Sequence, residues 1–440
     1  MDSRESLALA LTVALSLGFY CWLLLKDPLI PGMDGPYYLI QAESILAGRG
    51  MEYPDPPLLF YLTAAASALL GDVRLGVCLT VALLTSLSAV PAFLLARRIT
   101  GSLEAAAASA LVLTLSPQLV RMAGDFMKNA SSVLFLLSYL YLLHSAVEGG
   151  GEGEALAASA SLLLAGLTHS LDFATALAYS ACYLARSIRS GGVRRWALST
   201  VPGVIALLGA ALAMPENFSD VNKGINFLMD LAGVERGGGP RVPPRPERAW
   251  PLVTVGELWY PIFFASMGAA LALDHARRGE GGRAHAAASS VAVAAFLALP
   301  TVLGLREWAF RFSLMEAVPA SVIAGLAAGR AREAGARATV AAGLAALSAA
   351  NALSMAARVH PLITWTQYQD LLAARGVVEP GLNASVACRM SPYWVQYVLG
   401  LRPFSRGGAQ VVVWCPGERP PPRGVEVFRG REVSIYRVRP

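Results

Sequence analysis

The stretch MDGPYYLIQAESILAGRGMEYPDPPLLFY, residues 33–61, carries Asp34, Glu43, Glu52, Asp55 and several tyrosines shortly after an uncharged apolar run at 7–25. Acids and aromatics leaving a bilayer together make a poor anchor. Ionisable groups at such a boundary point to a functional site, the alternative being a solvated loop. Whether the next apolar segment, residues 57–71, crosses the membrane decides the topology of everything after it. As a helix it reaches only about 22 Å, against a hydrocarbon core of about 30 Å. If it does not cross, Arg4, Arg97, Arg98, Arg186, Arg189, Arg194, Arg195, Arg277, Arg278, Arg283, Arg330, Arg332 and Arg337 share one side, and the opposite loops hold only Lys26, Arg49, Arg74, Arg121, Lys128, Arg306 and Arg311. If it does cross, twelve of those thirteen arginines face out. The positive-inside rule therefore predicts an interfacial or re-entrant helix at 57–71, with a cytoplasmic N-terminus and the quoted stretch outside.

The rest of the composition agrees with a polytopic membrane protein. Of 440 residues, 55% are AVILMFWYC and 15% are charged, which excludes an ordinary soluble enzyme. The net charge of +6 comes almost wholly from arginine, the only lysines being Lys26, Lys128 and Lys223. These arginines sit in short loops between apolar runs, so no nucleic-acid partner is expected. The apolar core of the first 25 residues is too long for a removable signal peptide and lacks a small-residue cleavage site; it reads as the first span. Apolar runs at about 7–25, 75–96, 104–120, 130–147, 155–168, 171–186, 196–213, 258–274, 286–305, 309–328 and 338–357 predict eleven transmembrane helices. The two short ones form a tight hairpin around Thr168, His169 and Ser170.

This topology makes 1–357 a transmembrane domain with a first outer loop at 26–74, containing juxtamembrane helices, and a second outer loop at 214–257. The second loop contains GGGPRVPPRPERAWP, a mobile or extended composition. Residues 358–440 form a small extracytoplasmic α/β domain, reading helix at 368–374, strand at 384–389, helix at 393–400, strand at 410–415 and a final strand pair at 425–436. Cys388 and Cys415 lie in this domain, where a disulfide is possible in an oxidising compartment. Cys21, Cys78 and Cys182 lie in apolar runs and act as small hydrophobes.

Chemistry collects on the outer side. Asp34 stands before Gly35-Pro36, where it either accepts a proton from an incoming hydroxyl or caps the helix starting near Tyr37. Asp125, with Arg121 and Lys128 beside it, forms either a phosphate site through the cations or a cap with snorkelling bases. His169 and Asp172, at the hairpin turn, either polarise a sugar hydroxyl or are hydrogen-bonded turn residues. Arg306 and Arg311 open the tenth span. An arginine placed as Arg311 is needs an anion, either Glu307 or Glu316 or a lipid-borne phosphate. Glu43, Glu52 and Asp55 read as surface acids.

MDGPYY after the first span, YPDPPLLFYL as an interfacial helix, RMAGDFMKN in the second outer loop and an arginine followed by phenylalanine late in the bundle together resemble the GT-C glycosyltransferases. The nearest likeness is to the protein O-mannosyltransferase and aminoarabinose-transferase group, with a more distant one to the oligosaccharyltransferase catalytic subunit. The resemblance implies a GT-C-like polytopic fold and inverting transfer of a sugar from a polyprenyl-phosphate-linked donor to a protein, lipid or glycan acceptor on the outer face of the cell membrane. It assigns Asp34 as the base. Arg121, Asp125, Lys128, His169, Asp172, Arg306 and Arg311 are the candidates for holding substrate or phosphate, and Asp34 and Asp125 would hold a divalent cation, Mg or Mn, if the enzyme uses one. The chain departs from the pattern in three places. Gly35 follows Asp34 where a second acid is usual, Asp55 stands where a base often precedes the two prolines, and the WWDYG sequon-reading motif is absent. A transporter or flippase of lipid-linked substrates, or a non-catalytic assembly subunit, is the competing reading; the concentration of polar groups on one side counts against the transporter.

Overall fold

The structure is a computed structural model that describes residues 2–218, 229, 255–404, 408–417 and 423–438, without the side chains of 255–258, 306 and 307. Its helices follow the apolar runs, and polar contacts fix their ends. Asp2 and Glu5 form a reciprocal capping box at the start of the helix Ser3–Leu25, which satisfies two otherwise orphan amides. Glu5 also pairs with Arg97. At the same end of the bundle, Arg283 donates to the carbonyls of Ile99 at 3.2 Å and Thr100 at 2.9 Å, while Arg337 pairs with Glu104 at 3.2 Å and Arg330 with Asp274. The arginines that set the topology in the sequence are thus gathered by short-range pairing at one end.

Seven helices among the described residues are long and apolar enough to cross a membrane: Ser3–Leu25, Val73–Thr100, Met127–Val147, Val193–Ala213, Gly281–Val302, Trp308–Arg330 and Ala334–Ala356. The pair Leu103–Thr114 and Pro117–Asp125, bent by 41°, makes an eighth if counted as one span. The other three runs in the expected eleven lie on Glu152–Thr168, Ser170–Ser190 and Val255–Arg277, which are not among these seven or eight. The fold is therefore multi-span and helical as expected, with seven or eight such spans among the described residues where eleven were expected. The segment at 57–71 forms the short helix Leu58–Leu70, ended by Gly71 at φ +67°. Most of the second loop, 219–228 and 230–254, lies outside the described residues.

The bend has a clear cause. Ser116 caps the second half by accepting the Leu119 N–H at 3.1 Å, with Pro117 in the first turn. The carbonyls released at the break are taken up by tyrosines: Tyr20 donates to Thr114 O at 2.7 Å and Tyr260 to Val112 O at 3.3 Å, so the helix can end inside the core without unsatisfied acceptors. The bend turns Pro117–Asp125 towards the quoted stretch.

At the end opposite the arginines sits the C-terminal sheet domain. Its strands β1 (Ala384–Ala387), β2 (Val411–Trp414), β3 (Val425–Arg429) and β4 (Ser434–Arg437) lie in the order β1-β2-β4-β3, with β1 and β2 parallel and the other pairs antiparallel. The helix Pro392–Leu399 makes the crossover between the parallel strands. Cys388 and Cys415 form a disulfide, with Cα atoms 5.0 Å apart.

Candidate active site

The site is built where the two loops leaving the bundle meet. Gly32, at φ +82°, lies against Gly124, and a β-carbon on Gly32 would fall 2.1 Å from the Gly124 carbonyl oxygen. Only glycine permits both the dihedral and the approach. Gly32 also donates its N–H to His360 O at 3.0 Å, so the first loop is held between the second loop and the start of the C-terminal region. One residue on, Met33 donates its N–H to Asp125 Oδ1 at 3.3 Å. Asp34 follows on this anchored backbone.

Asp34 occupies the position before the helix Gly35–Leu46, yet its side chain makes no capping hydrogen bond. Its carboxyl instead lines a cavity of about 370 Å3, together with Asp55, Lys128, His169, Arg311 and Tyr393. Withdrawal from water pushes its pKa up to about 6; Lys128 acts against this, then Asp125 with it, Arg311 against and Asp55 with it. Burial penalises the charged form, and the mixed charges nearby largely offset one another. A carboxyl so poised is ionised near neutrality and still basic enough to take a proton.

Two cations face it. Lys128, in the first turn of Met127–Val147, pairs with Asp55, while its backbone N–H donates to Tyr38 Oη at 3.1 Å. Arg311 reaches the cavity from the helix Arg306–Leu314, and among the described side chains it forms no ion pair. Glu316, one of its expected partners, is instead buried at 4% exposure. His169 sits in an extended break (φ −159°, ψ 132°) between Glu152–Thr168 and Ser170–Ser190. Its Nδ1 is 2.9 Å from Oδ2 of the fully buried Asp172, so the carboxylate orients the ring from behind and does not itself line the cavity.

Arg121 and Asp125 are also outside the cavity lining. They pair with each other at 3.5 Å, and the Arg121 guanidinium lies 4.7 Å from the Phe310 ring. Their contacts support the wall behind Met33 and Arg311. The Arg306 side chain lies outside the described residues.

A family model described as dolichyl-phosphate-mannose-protein mannosyltransferase matches residues 54–217. An oligosaccharyltransferase of Archaeoglobus fulgidus, solved with Zn and sulfate, is 13% identical; the match covers 92% of this chain and 68% of that one with a TM-score of 0.58. The chain has a GT-C fold. ArnT from Cupriavidus metallidurans, solved bound to undecaprenyl phosphate, is 14% identical over 97% of both chains, with a TM-score of 0.42. The search of curated proteins found no significant match.

The Archaeoglobus structure holds Zn, and the acids here bear on whether this fold offers a cation the same kind of place. Among the described residues no three His, Cys, Asp or Glu side chains come together as ligands. Asp125 is occupied by Met33 and Arg121, and Asp55 by Lys128 and Tyr37. Of the two acids that the sequence offers to a cation, Asp34 and Asp125, only Asp34 keeps its carboxyl clear of a capping or ion-pair contact among the described residues.

Two cavity residues stand apart from the sequence-based candidates. Asp55 is 9% exposed, where the sequence reads as a surface acid; it lies inside because Tyr37 and Lys128 pair with it there. The available signal was its place before Pro56-Pro57, which stiffens the chain. Tyr393 comes from the C-terminal domain, and its ring lies 5.2 Å from Tyr37 and 5.7 Å from Tyr53. No local pattern marks it.

Proposed function

We propose that this chain is a glycosyltransferase that moves a sugar from a polyprenyl-phosphate-linked donor to an acceptor hydroxyl, with inversion and with Asp34 as base. The observation that carries the reading is an uncapped carboxyl sharing one cavity with Lys128 and Arg311. Asp34 takes the acceptor's proton as the hydroxyl oxygen bonds to the anomeric carbon. The bond from that carbon to the phosphate oxygen breaks, and its electron pair leaves with the polyprenyl phosphate. Arg311 stabilises the charge that develops on the phosphate, so no strong general acid is required, and Lys128 at the cavity wall contributes to binding the donor. His169 faces the same space and is suited to a sugar hydroxyl or a phosphate oxygen.

Charge supports a monophosphate donor. The Lys128 charge is already balanced by Asp55, which leaves Arg311 to match the single negative charge of a sugar phosphodiester. The matching family's description also names a dolichyl-phosphate-linked sugar.

The site faces outward in this reading, with a cytoplasmic N-terminus. The arginine distribution supports that orientation, as does a disulfide in the domain on the site's side of the bundle. Residues 1–357 would then be the transmembrane catalytic part, and 358–440 an extracytoplasmic domain that contributes Tyr393 to the cavity. The deciding experiment is transfer from native lipid-linked sugars by the full chain and by Asp34→Asn. Loss of transfer in the variant is expected. Full transfer by it would remove Asp34 as base, and absence of transfer by the wild type from every polyprenyl-linked donor would overturn the reading.

A further inference from the structure

Asp34 and Asp55 are the carboxylates that line the cavity among the described residues, and Lys128 lies within reach of both charges. Its ammonium rests on Asp55 Oδ2. That oxygen also accepts from Tyr37 Oη. Tyr37 is fixed in turn: Gln41 Nε2 donates to Tyr37 Oη at 3.2 Å and to Tyr53 O at 2.8 Å, and Tyr53 N–H donates back to Gln41 Oε1 at 3.1 Å. Tyr53 continues the chain to Gln396 of the C-terminal domain. The Lys128 backbone is held separately by Tyr38. Asp55 is thus an immobilised acceptor for a charge carried on a flexible four-carbon stem.

We propose that Asp55 is a positioning residue that keeps the Lys128 ammonium off Asp34, so that the base stays unpaired while the cation stays at the cavity wall. The inference rests on the reading of Asp34 as base. A lysine released in this cavity has one other lining carboxylate to pair with, and that is Asp34. Of the charges acting on Asp34, Lys128 is the strongest, ahead of Asp125, Arg311 and Asp55. A direct ion pair would hold Asp34 ionised, weaken it as a base and obstruct the approach of the acceptor hydroxyl. Asp55 prevents this by offering the lysine a site of the same charge, already ordered by Tyr37 and with no acceptor hydroxyl to bind.

The test is second-site suppression. Asp55→Asn lowers kcat by about tenfold or more, the scale on which a positioned base acts. Adding Lys128→Gln to Asp55→Asn restores most of that loss in kcat while the donor KM stays high, because the cation that blocked the base has gone. Asp55→Glu keeps the carboxylate, rescues kcat and shows that the chain folds. A merely structural Asp55 would make the double variant worse than the single one. Wild-type kcat in Asp55→Asn, or a double variant no better than Asp55→Asn, overturns the proposal. A structure of the full chain carrying Asp55→Asn gives a readout independent of transfer: the Lys128 ammonium is expected on Asp34, and finding it elsewhere overturns the inference even if no donor is ever turned over. Failure of wild-type transfer would instead sink only the functional reading.

Discussion

Gly32 and Gly124 meet backbone to backbone, so closely that a β-carbon on the first would lie 2.1 Å from the carbonyl oxygen of the second. This contact joins the loop bearing Asp34 to the loop bearing Asp125 and Lys128. Gly32→Ala is expected to disturb both, since the φ of +82° alone costs a non-glycine residue about 1–3 kcal/mol and the overlap adds to it. A lower thermal unfolding midpoint in detergent, together with reduced transfer, is the expected result. A variant with the wild-type midpoint would show that the loops are joined elsewhere.

The pH profile should report on Asp34. Burial raises its pKa to about 6, so the carboxyl stays protonated, and inactive as a base, to a higher pH than an ordinary aspartic acid. Transfer at limiting substrate is expected to rise about tenfold per pH unit below that value and to level off above it. In Asp34→Asn this limb disappears, and the residual rate is lower by about 10²–10⁴-fold. An acid limb unchanged in the variant would assign the titration to another group.

Arg311→Gln tests the phosphate contact. A hydrogen bond to a charged group contributes about 1.5–3 kcal/mol, which corresponds to a donor KM higher by about ten- to a hundredfold. The acceptor KM should move far less. Equal changes in both would point to a collapsed cavity rather than a lost phosphate ligand.

The disulfide offers a stability test and a topology test together. Cys388 and Cys415 close a 27-residue separation, for which chain entropy gives about 3.5 kcal/mol. Cys388→Ser should therefore lower the unfolding midpoint, and alkylation of wild type should gain two thiols only after reduction.

The helix Leu58–Leu70 has 13 residues, about 20 Å of helix, too short to cross. A cysteine placed at Gly71 should react with an impermeant reagent applied from outside. Protection there, with labelling from the inside, would reverse the orientation.

Asp34 was legible because its signal is local: an acid before Gly35-Pro36, immediately after an apolar span. His169 and Arg311 were legible for a similar reason, each being a polar residue that interrupts a membrane helix. Asp55 was not, since an acid between two prolines in a polar loop is ordinary until its partners are known. Tyr37 is 18 residues away and Lys128 is 73, and only the folded loops bring them together. Asp125 was legible as an acid between bases but not as the group that holds Met33, a contact spanning 92 residues.

By itself the sequence determined the class of molecule: apolar runs specify helices that bury their backbone polar groups within themselves, and the arginine count specifies which ends share a side. Both are one-dimensional properties, set by transfer energies residue by residue. Tertiary structure alone decided which polar groups face one another. The bend at Ser116, the Gly32–Gly124 contact and the placement of Tyr393 bring distant loops around Asp34. The charges that a carboxyl meets in a low-dielectric cavity depend on distances that no local pattern encodes.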